Sequence, residues 1–352
     1  MRIEVYNDSK KNIWDEFIAR SKNGTFLFLR DYMDYHRDRF TDHSLLICDD
    51  ESRLAALLPA NIKGTTFISH GGLTYGGFIT DAAMKAPKML RVFEAALLYL
   101  KSISIERFIY KTIPHIYHGI PAEEDRYALY LCDAKFIRRG VLAVIDARQR
   151  LPFQDRRRRG ADKAVKNGLV VRQSGDFAEF WEILKRNLKE RYNTIPVHSL
   201  EEITVLHSRF PDNIKLFGCY KGEELIGGVV IYESQRVAHV QYIAASDAGR
   251  QLGALDLIFS SLVTEVYNQK PFFDFGTSDE DDGYILNKGL IDQKEGFGAR
   301  VIVHDHYEIR LSEWEPTKIR KAIDDRANSY MRKCDFRKLS YEEDFNSCAG
   351  LL

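Results

Sequence analysis

One pattern occurs twice in this chain and limits what the chain can fold into. Leu46-Ile47-Cys48, the polar residues Asp49 to Arg53 and the apolar run Leu54 to Leu58 share their spacing with Phe217-Gly218-Cys219, Tyr220 to Glu224 and Leu225 to Val230. Each copy predicts a strand, a tight charged turn and a second strand, which is a β-hairpin. The first hairpin is followed by a short strand (66–69), a Gly-rich loop, an apolar helix over about 88–102 and a strand at 107–111. The second is followed by a strand at 236–244, a loop with Gly249 and Gly253, a helix over about 254–267 and a strand at 272–275. Helical stretches precede both, with Phe177, Phe180, Trp181, Leu184 and Leu188 recurring at helical spacing. A matched order of elements at a fixed offset signals an internal repeat.

The length, 352 residues, suits two domains of ordinary size. Strand 143–146 and Pro152 place the boundary, giving an N-terminal lobe over 1–150, a C-terminal lobe over 151–312 and a helical extension over 313–352. Lysine plus arginine and aspartate plus glutamate are both 51, which argues against nucleic-acid binding through overall charge. Cys48, Cys132, Cys219, Cys334 and Cys348 form no CxxC pair, so neither a disulfide framework nor a zinc site is expected. No apolar run approaches a membrane span, the opening residues do not read as a signal peptide, and a cytoplasmic location is expected.

Three stretches carry candidate chemistry. In LPFQDRRRRGADKAVKNGLVV, Arg156, Arg159, Lys163 and Lys166 fall on one helical stripe, with Gly168 placed to end the helix. Four cations on a stripe repel one another; the stripe is either a solvated face or a site where an anion offsets the repulsion. SHGGLTYGGF, residues 69–78, is either a set of turns or a loop whose glycines bring backbone amides to a ligand beside His70 and Tyr75. In FFDFGTSDEDDGYILNKGLIDQKEGFG, Asp274 sits in an apolar strand, where a carboxylate must be paired, capped or functional. The acids at 279–282 read as a solvated loop or as hard oxygen ligands for a divalent cation.

The element order of each half is that of the acetyltransferase (GNAT) fold. The fold expected is therefore α/β (α+β): two tandem GNAT-like lobes, each a mixed, mostly antiparallel sheet flanked by helices. The basic helix RRRRGADKAVKNGLVV and the ending FDFGTSDEDDGYILNKGLIDQKEGFGA resemble the Fem family of peptidyltransferases. SHGGLTYGGF resembles the first-lobe loop of the family's acetyltransferase-like branch, found with surface-polysaccharide genes. The resemblance spans about residues 1–312. It implies transfer of an acyl group to an amine, with acyl-CoA as donor in the acetyltransferase-like branch and aminoacyl-tRNA in the peptidyltransferases. It also places the family's lysine at Lys294, where it stabilises charge during transfer; Gln293 stands where the family has phenylalanine.

Acyl transfer needs a deprotonated amine, a polarised carbonyl and an outlet for the leaving group. Lys294, Asp274 and His70 are the catalytic candidates. Arg156, Arg159, Lys163, Lys166, Tyr75, His198, Tyr242 and Ser278 are the candidates for holding an anionic acceptor. Arg250, Gly253 and Ala254 match most of the R/Q-x-x-G-x-G/A loop that grips the CoA pyrophosphate, with Leu255 in place of the last small residue. The function expected is an N-acyltransferase moving an acyl group, acetyl by preference, from acyl-CoA to a small anionic amine such as a nucleotide-linked amino sugar. The alternatives are an aminoacyl-tRNA-dependent transferase and a non-catalytic scaffold; no metal is expected.

Overall fold

The structure, a computed structural model, describes residues 1–324. The first half runs β1 (Arg2–Val5), α1 (Lys11–Arg20), α2 (Arg30–Met33), β2 (Thr41–Asp42), β3 (Leu45–Cys48) and β4 (Leu54–Leu58). It continues through β5 (Asn61–Lys63), β6 (Thr66–Ile68), β7 (Ile79–Thr80), α3 (Ala86–Ser102), β8 (Arg107–Lys111), α4 (Glu124–Leu131) and β9 (Lys135–Asp146). The second half opens with α5 (Asp155–Lys166), β10 (Leu169–Ser174), α6 (Phe177–Tyr192), α7 (Leu200–Arg209), β11 (Ile214–Lys221), β12 (Glu224–Glu233) and β13 (Val237–Ala245). It ends with α8 (Asp247–Leu252), α9 (Ala254–Ser261), β14 (Phe272–Thr277), β15 (Asp279–Glu280), β16 (Ile285–Leu286), α10 (Lys288–Glu295), β17 (Arg300–Arg310) and α11 (Thr317–Ile323). Of the expected extension 313–352, residues beyond 324 lie outside the described ones.

Local sequence explains the main helices. On α3, Met89, Leu90, Phe93, Ala96, Leu97 and Leu100 recur at helical spacing and are all buried. Burying each large side chain of that face stabilises the packing by about 1.5–3 kcal/mol. Asp176 caps α6 through the Ala178 amide, and Asn193 closes it in the left-handed conformation. Ser199 and Glu202 form a capping box at the start of α7. Gly168, with φ of 73°, follows α5 as expected.

The sheets show how the halves join. The small sheet runs β1-β3-β4-β7; the large one runs β10-β11-β12-β13-β14-β9-β17-β8-β6-β5-β2. Both predicted hairpins are present, but the first does not continue into strand 66–68. Pro59 follows β4, removes a ladder donor and turns the chain away. β6 instead pairs with β5 and, in parallel, with β8, while β7 takes the place beside β4. The two halves also exchange strands. β9, the last strand of the first half, lies between β14 and β17; β17, from the end of the second, lies between β9 and β8. A shared aromatic core reinforces this, with Phe26 and Tyr32 against Phe210 and Tyr232.

Candidate active site

β13 and β14 are parallel neighbours only over Val237–His239 and Phe272–Asp274. Beyond that point β14 turns toward β9: its register breaks between Asp274 and Thr277, and Gly276 adopts φ of 73°, open to glycine at little cost. The strands splay, and the gap widens into a cleft of about 660 Å³ between the halves. β13 and β14 form one wall; Gly71, Leu73 and Thr74 of the Gly-rich loop, Lys111, Arg138, His304 and His306 form the other. A larger concavity of about 890 Å³ is lined by Met1, Arg91, Glu94 and Arg320, and by none of these groups.

At the point of splaying, His239 Nδ1 lies 2.8 Å from Asp274 Oδ2. The Asp274 carboxylate is fully buried and also accepts from the Gly276 amide (2.7 Å) and the Tyr117 hydroxyl (3.3 Å). Burial alone would raise its pKa. His239, the Gly276 amide and Lys294 outweigh it and hold the carboxyl below its ordinary value. An ionised Asp274 keeps the His239 proton on Nδ1, so Nε2 of this cleft-lining ring is left as a proton acceptor. Lys294 enters from α10, donating to the Gly276 carbonyl (3.0 Å) and the Thr277 carbonyl. Burial lowers its pKa to about 8 against the pull of Asp274 and Asp279. Beneath it, a slot of about 20 Å³ is walled by Val240, Ile243, Phe259, Phe275, Leu290 and Phe297, room for a group of methyl size.

Of the residues predicted from sequence, Lys294 lines the cleft and Asp274 supports it from behind; the others lie elsewhere. His70 is buried against His36 and Phe40, with φ of 56° and its carbonyl held by Lys111. Tyr75 is buried, bonded to Thr25 and packed on Tyr117. His198 and Tyr242 bond each other inside the aromatic core, and Ser278 is buried. Arg156, Arg159, Lys163 and Lys166 are exposed on α5, and Arg156 is paired with Asp292 at 2.6 Å. The expected pyrophosphate loop is not formed. Arg250 lies in α8, Gly253 between α8 and α9, and Ala254 opens α9; Arg250 bonds Asn187 (3.0 Å) and the Ala245 carbonyl (2.6 Å), and Ala254 is fully buried. Gly253 instead allows contact with Gly160 of α5, and Asp256, in the first turn of α9, is paired with Arg157 at 2.8 Å. Asp279 accepts the Val141 amide at 2.6 Å, so the acidic loop is anchored to β9. Among the described residues, no group of three or more His, Cys, Asp or Glu is placed to hold a metal, and no helix is long and apolar enough to cross a membrane.

Sequence reasoning missed His239, Lys111, Arg138, His304 and His306. A signal existed in the strands: His239 and Gln241 are polar residues two apart in an otherwise apolar strand, and His304 and His306 are likewise two apart, so each pair shares one face.

Two exchanged α/β halves with a splayed strand pair define a tandem GNAT-type fold. Residues 148–284 match the family described as acetyltransferase (GNAT) domain, which makes this an enzyme domain of the acyltransferase class. The crystal structure of FemX is similar with a TM-score of 0.61 at 13% identity, covering 92% of this chain and 100% of that one. The structure of L-PGS from Bacillus licheniformis has a TM-score of 0.56 at 12% identity, over 91% and 97% of the two chains. A conserved protein of unknown function from Bacteroides thetaiotaomicron VPI-5482 has a TM-score of 0.57 at 8% identity, over 88% and 99%. At these identities the likeness concerns the fold. No curated protein matches the chain.

Proposed function

We propose that this protein transfers a short acyl group to an amine bound in the cleft between its halves. The observation that carries this reading is the His239–Asp274 pair at the mouth of the β13/β14 splay, with Lys294 beside it. In the reaction the amine nitrogen attacks the acyl carbonyl and a C–N bond forms. His239 Nε2 takes the proton that the nitrogen loses, and the Lys294 ammonium offsets the charge developing on the carbonyl oxygen. The bond to the carrier then breaks, and the proton held by His239 passes to the leaving group. The methyl-sized slot favours acetyl over longer chains. The donor is an acyl thioester such as acetyl-CoA, gripped elsewhere than at the start of α9, and the acceptor is an anionic amine of the amino-sugar type used in polysaccharide synthesis.

A second reading takes aminoacyl-tRNA as the donor, as the Fem resemblance implies. Arg159, Lys163 and Lys166 favour it, being exposed and free of ion pairs among the described residues, as suits a polyanion on this helix. The two readings separate by salt, because phosphate-backbone contacts weaken steeply as ionic strength rises. The test is release of free thiol from acetyl-CoA in the presence of an amino-sugar panel, beside transfer from charged tRNA. A His239→Gln protein that turns over at the wild-type rate with either donor sinks the proposal.

A further inference from the structure

The far wall of the cleft holds a feature that the acyl-transfer chemistry does not use. In the register of the large sheet, His306 of β17 lies directly opposite Lys111 of β8 on one side and Arg138 of β9 on the other. Directly opposed residues share a face, so Lys111, His306 and Arg138 form a row across three strands, and all three line the cleft. His304, two residues before His306, shares that face with ring centroids 4.8 Å apart, and its own opposite position is Gly140, where a Cβ would touch the Asp279 carboxylate at 3.6 Å. Like charges placed across strands destabilise a sheet. Here two cations flank an imidazole, and no aspartate or glutamate lines the cleft.

The partners of these groups leave Lys111 as a fixed charge and Arg138 with N–H donors to spare. Lys111 is held by the carbonyls of His70 (3.0 Å), Gly71 (3.4 Å) and Leu73 (2.8 Å), which take its three N–H donors and fix the ammonium in place without neutralising its charge. Arg138 donates a hydrogen bond to Asp282 at 3.3 Å and lies 3.6 Å from Asp279. Burial, then His304, Lys111 and Arg138, keep the His306 ring neutral down to about pH 3. That ring makes no hydrogen bond among the described residues, while His304 bonds the Thr112 carbonyl at 2.8 Å.

We infer that the row Lys111–His306–Arg138, with His304 beside it, is a subsite for a phosphate group. A fixed ammonium charge, the spare guanidinium donors of Arg138 and the unbonded His306 ring on one face suit a phosphate, with its higher charge and more oxygens, better than a carboxylate. The inference rests on the cleft being the site of acyl transfer, and it names the substrate class: the molecule bound there carries a phosphate or diphosphate ester. That ester belongs either to the amine acceptor or to the acyl carrier.

The test is calorimetric titration of the full chain with inorganic pyrophosphate, which requires no turnover. Wild type binds; His306→Gln and Arg138→Gln each bind about tenfold more weakly, the loss of one charge-assisted hydrogen bond. Lys185→Gln/Lys189→Gln, exposed on α6, binds as wild type. Lys111 is left unchanged because it also holds the 70–73 loop. Wild type that takes up no pyrophosphate, or His306→Gln and Arg138→Gln that both bind it as wild type does, overturns the inference. Titration with CoA assigns the ester. CoA affinity lost in both cleft variants puts it on the acyl carrier, and CoA affinity unchanged in variants that have lost pyrophosphate puts it on the acceptor. A chain that binds pyrophosphate through this row but transfers no acyl group keeps the subsite and loses the acyl-transfer reading.

Discussion

Replacing Asp274 with asparagine removes a charge and almost no volume, and its consequences follow from three hydrogen bonds. Oδ1 accepts the Gly276 amide at 2.7 Å, which an amide oxygen still does. Oδ2 accepts His239 Nδ1 at 2.8 Å and Tyr117 at 3.3 Å, and there the asparagine presents an NH₂ group. The imidazole relieves the clash of donors by moving its proton to Nε2 and accepting at Nδ1, and the tyrosine hydroxyl rotates to accept. Every group then has a partner, so the stability loss stays near the value of a charged hydrogen bond, about 1–3 kcal/mol. The rate behaves differently. Nε2 now carries a proton and faces the cleft as a donor, so the base is gone; the same exchange in a Ser-His-Asp triad costs about 10⁴ in turnover. Asp274→Ala is the contrast, because it orphans three donors in a fully buried position and costs about 3–5 kcal/mol. Nitrogen NMR of the histidine rings reads the tautomer directly, and denaturant titration reads stability. An Asp274→Asn protein with the His239 proton on Nε2 and an undiminished transfer rate refutes the assignment of His239 as the base.

Gly253→Ala is expected to lose more than about 2 kcal/mol, because φ is 83° and the new Cβ falls inside contact distance of the Gly160 carbonyl; the denaturation midpoint checks it. Lys111 and Lys294 both have pKa values lowered to about 8 by burial, below the value of about 10.4 in an unfolded chain. Between pH 7.5 and 8.5 the unfolded chain therefore holds more protons, and stability rises with pH by about 1 kcal/mol in all, roughly half of it absent in Lys294→Met. Above that window Cys132 and Cys219, pushed up to about 12 by burial, act in the opposite sense. Leu290→Ala enlarges the slot beneath Lys294 and is expected to shift donor preference from acetyl toward butyryl thioesters, read as the ratio of thiol release rates.

The repeated hairpins were legible because their strands are set by local patterning, and so were the helices, whose apolar faces recur within a few residues. Asp274 was legible for a related reason: a carboxylate in Phe272-Phe273-Asp274-Phe275 is anomalous on its own strand, whatever it meets. Its partner was not, since His239 reaches it through a parallel pairing of only three positions across 35 residues of chain. The Gly253 reading failed where a spacing match has two physical causes. A glycine before a helix lets a backbone approach a phosphate, or it lets another helix approach, and here Gly160 is what approaches.

The exchange of β9 and β17 decides where the chemistry collects. Had each half kept its own strands, His304 and His306 would line a surface of the second half alone, and Lys111 a surface of the first. Because β17 inserts between β8 and β9, a histidine from the last sheet strand falls in register with a lysine from residue 111 and an arginine from residue 138. No window of sequence contains that row. It exists only once the halves have joined, so the phosphate subsite and the acyl-transfer pair face one cleft as a product of the joining. A chain cut between β16 and α10 loses Lys294, His304 and His306 together, and with β17 the strand that joins β9 to β8. Such a truncated chain is expected to bind no pyrophosphate, and adding residues 288–324 back as a peptide is expected to restore it only if β17 re-enters between β8 and β9, which amide hydrogen exchange at Val303 to Tyr307 reports. Pyrophosphate binding by the truncated chain alone would show that the row is not the subsite.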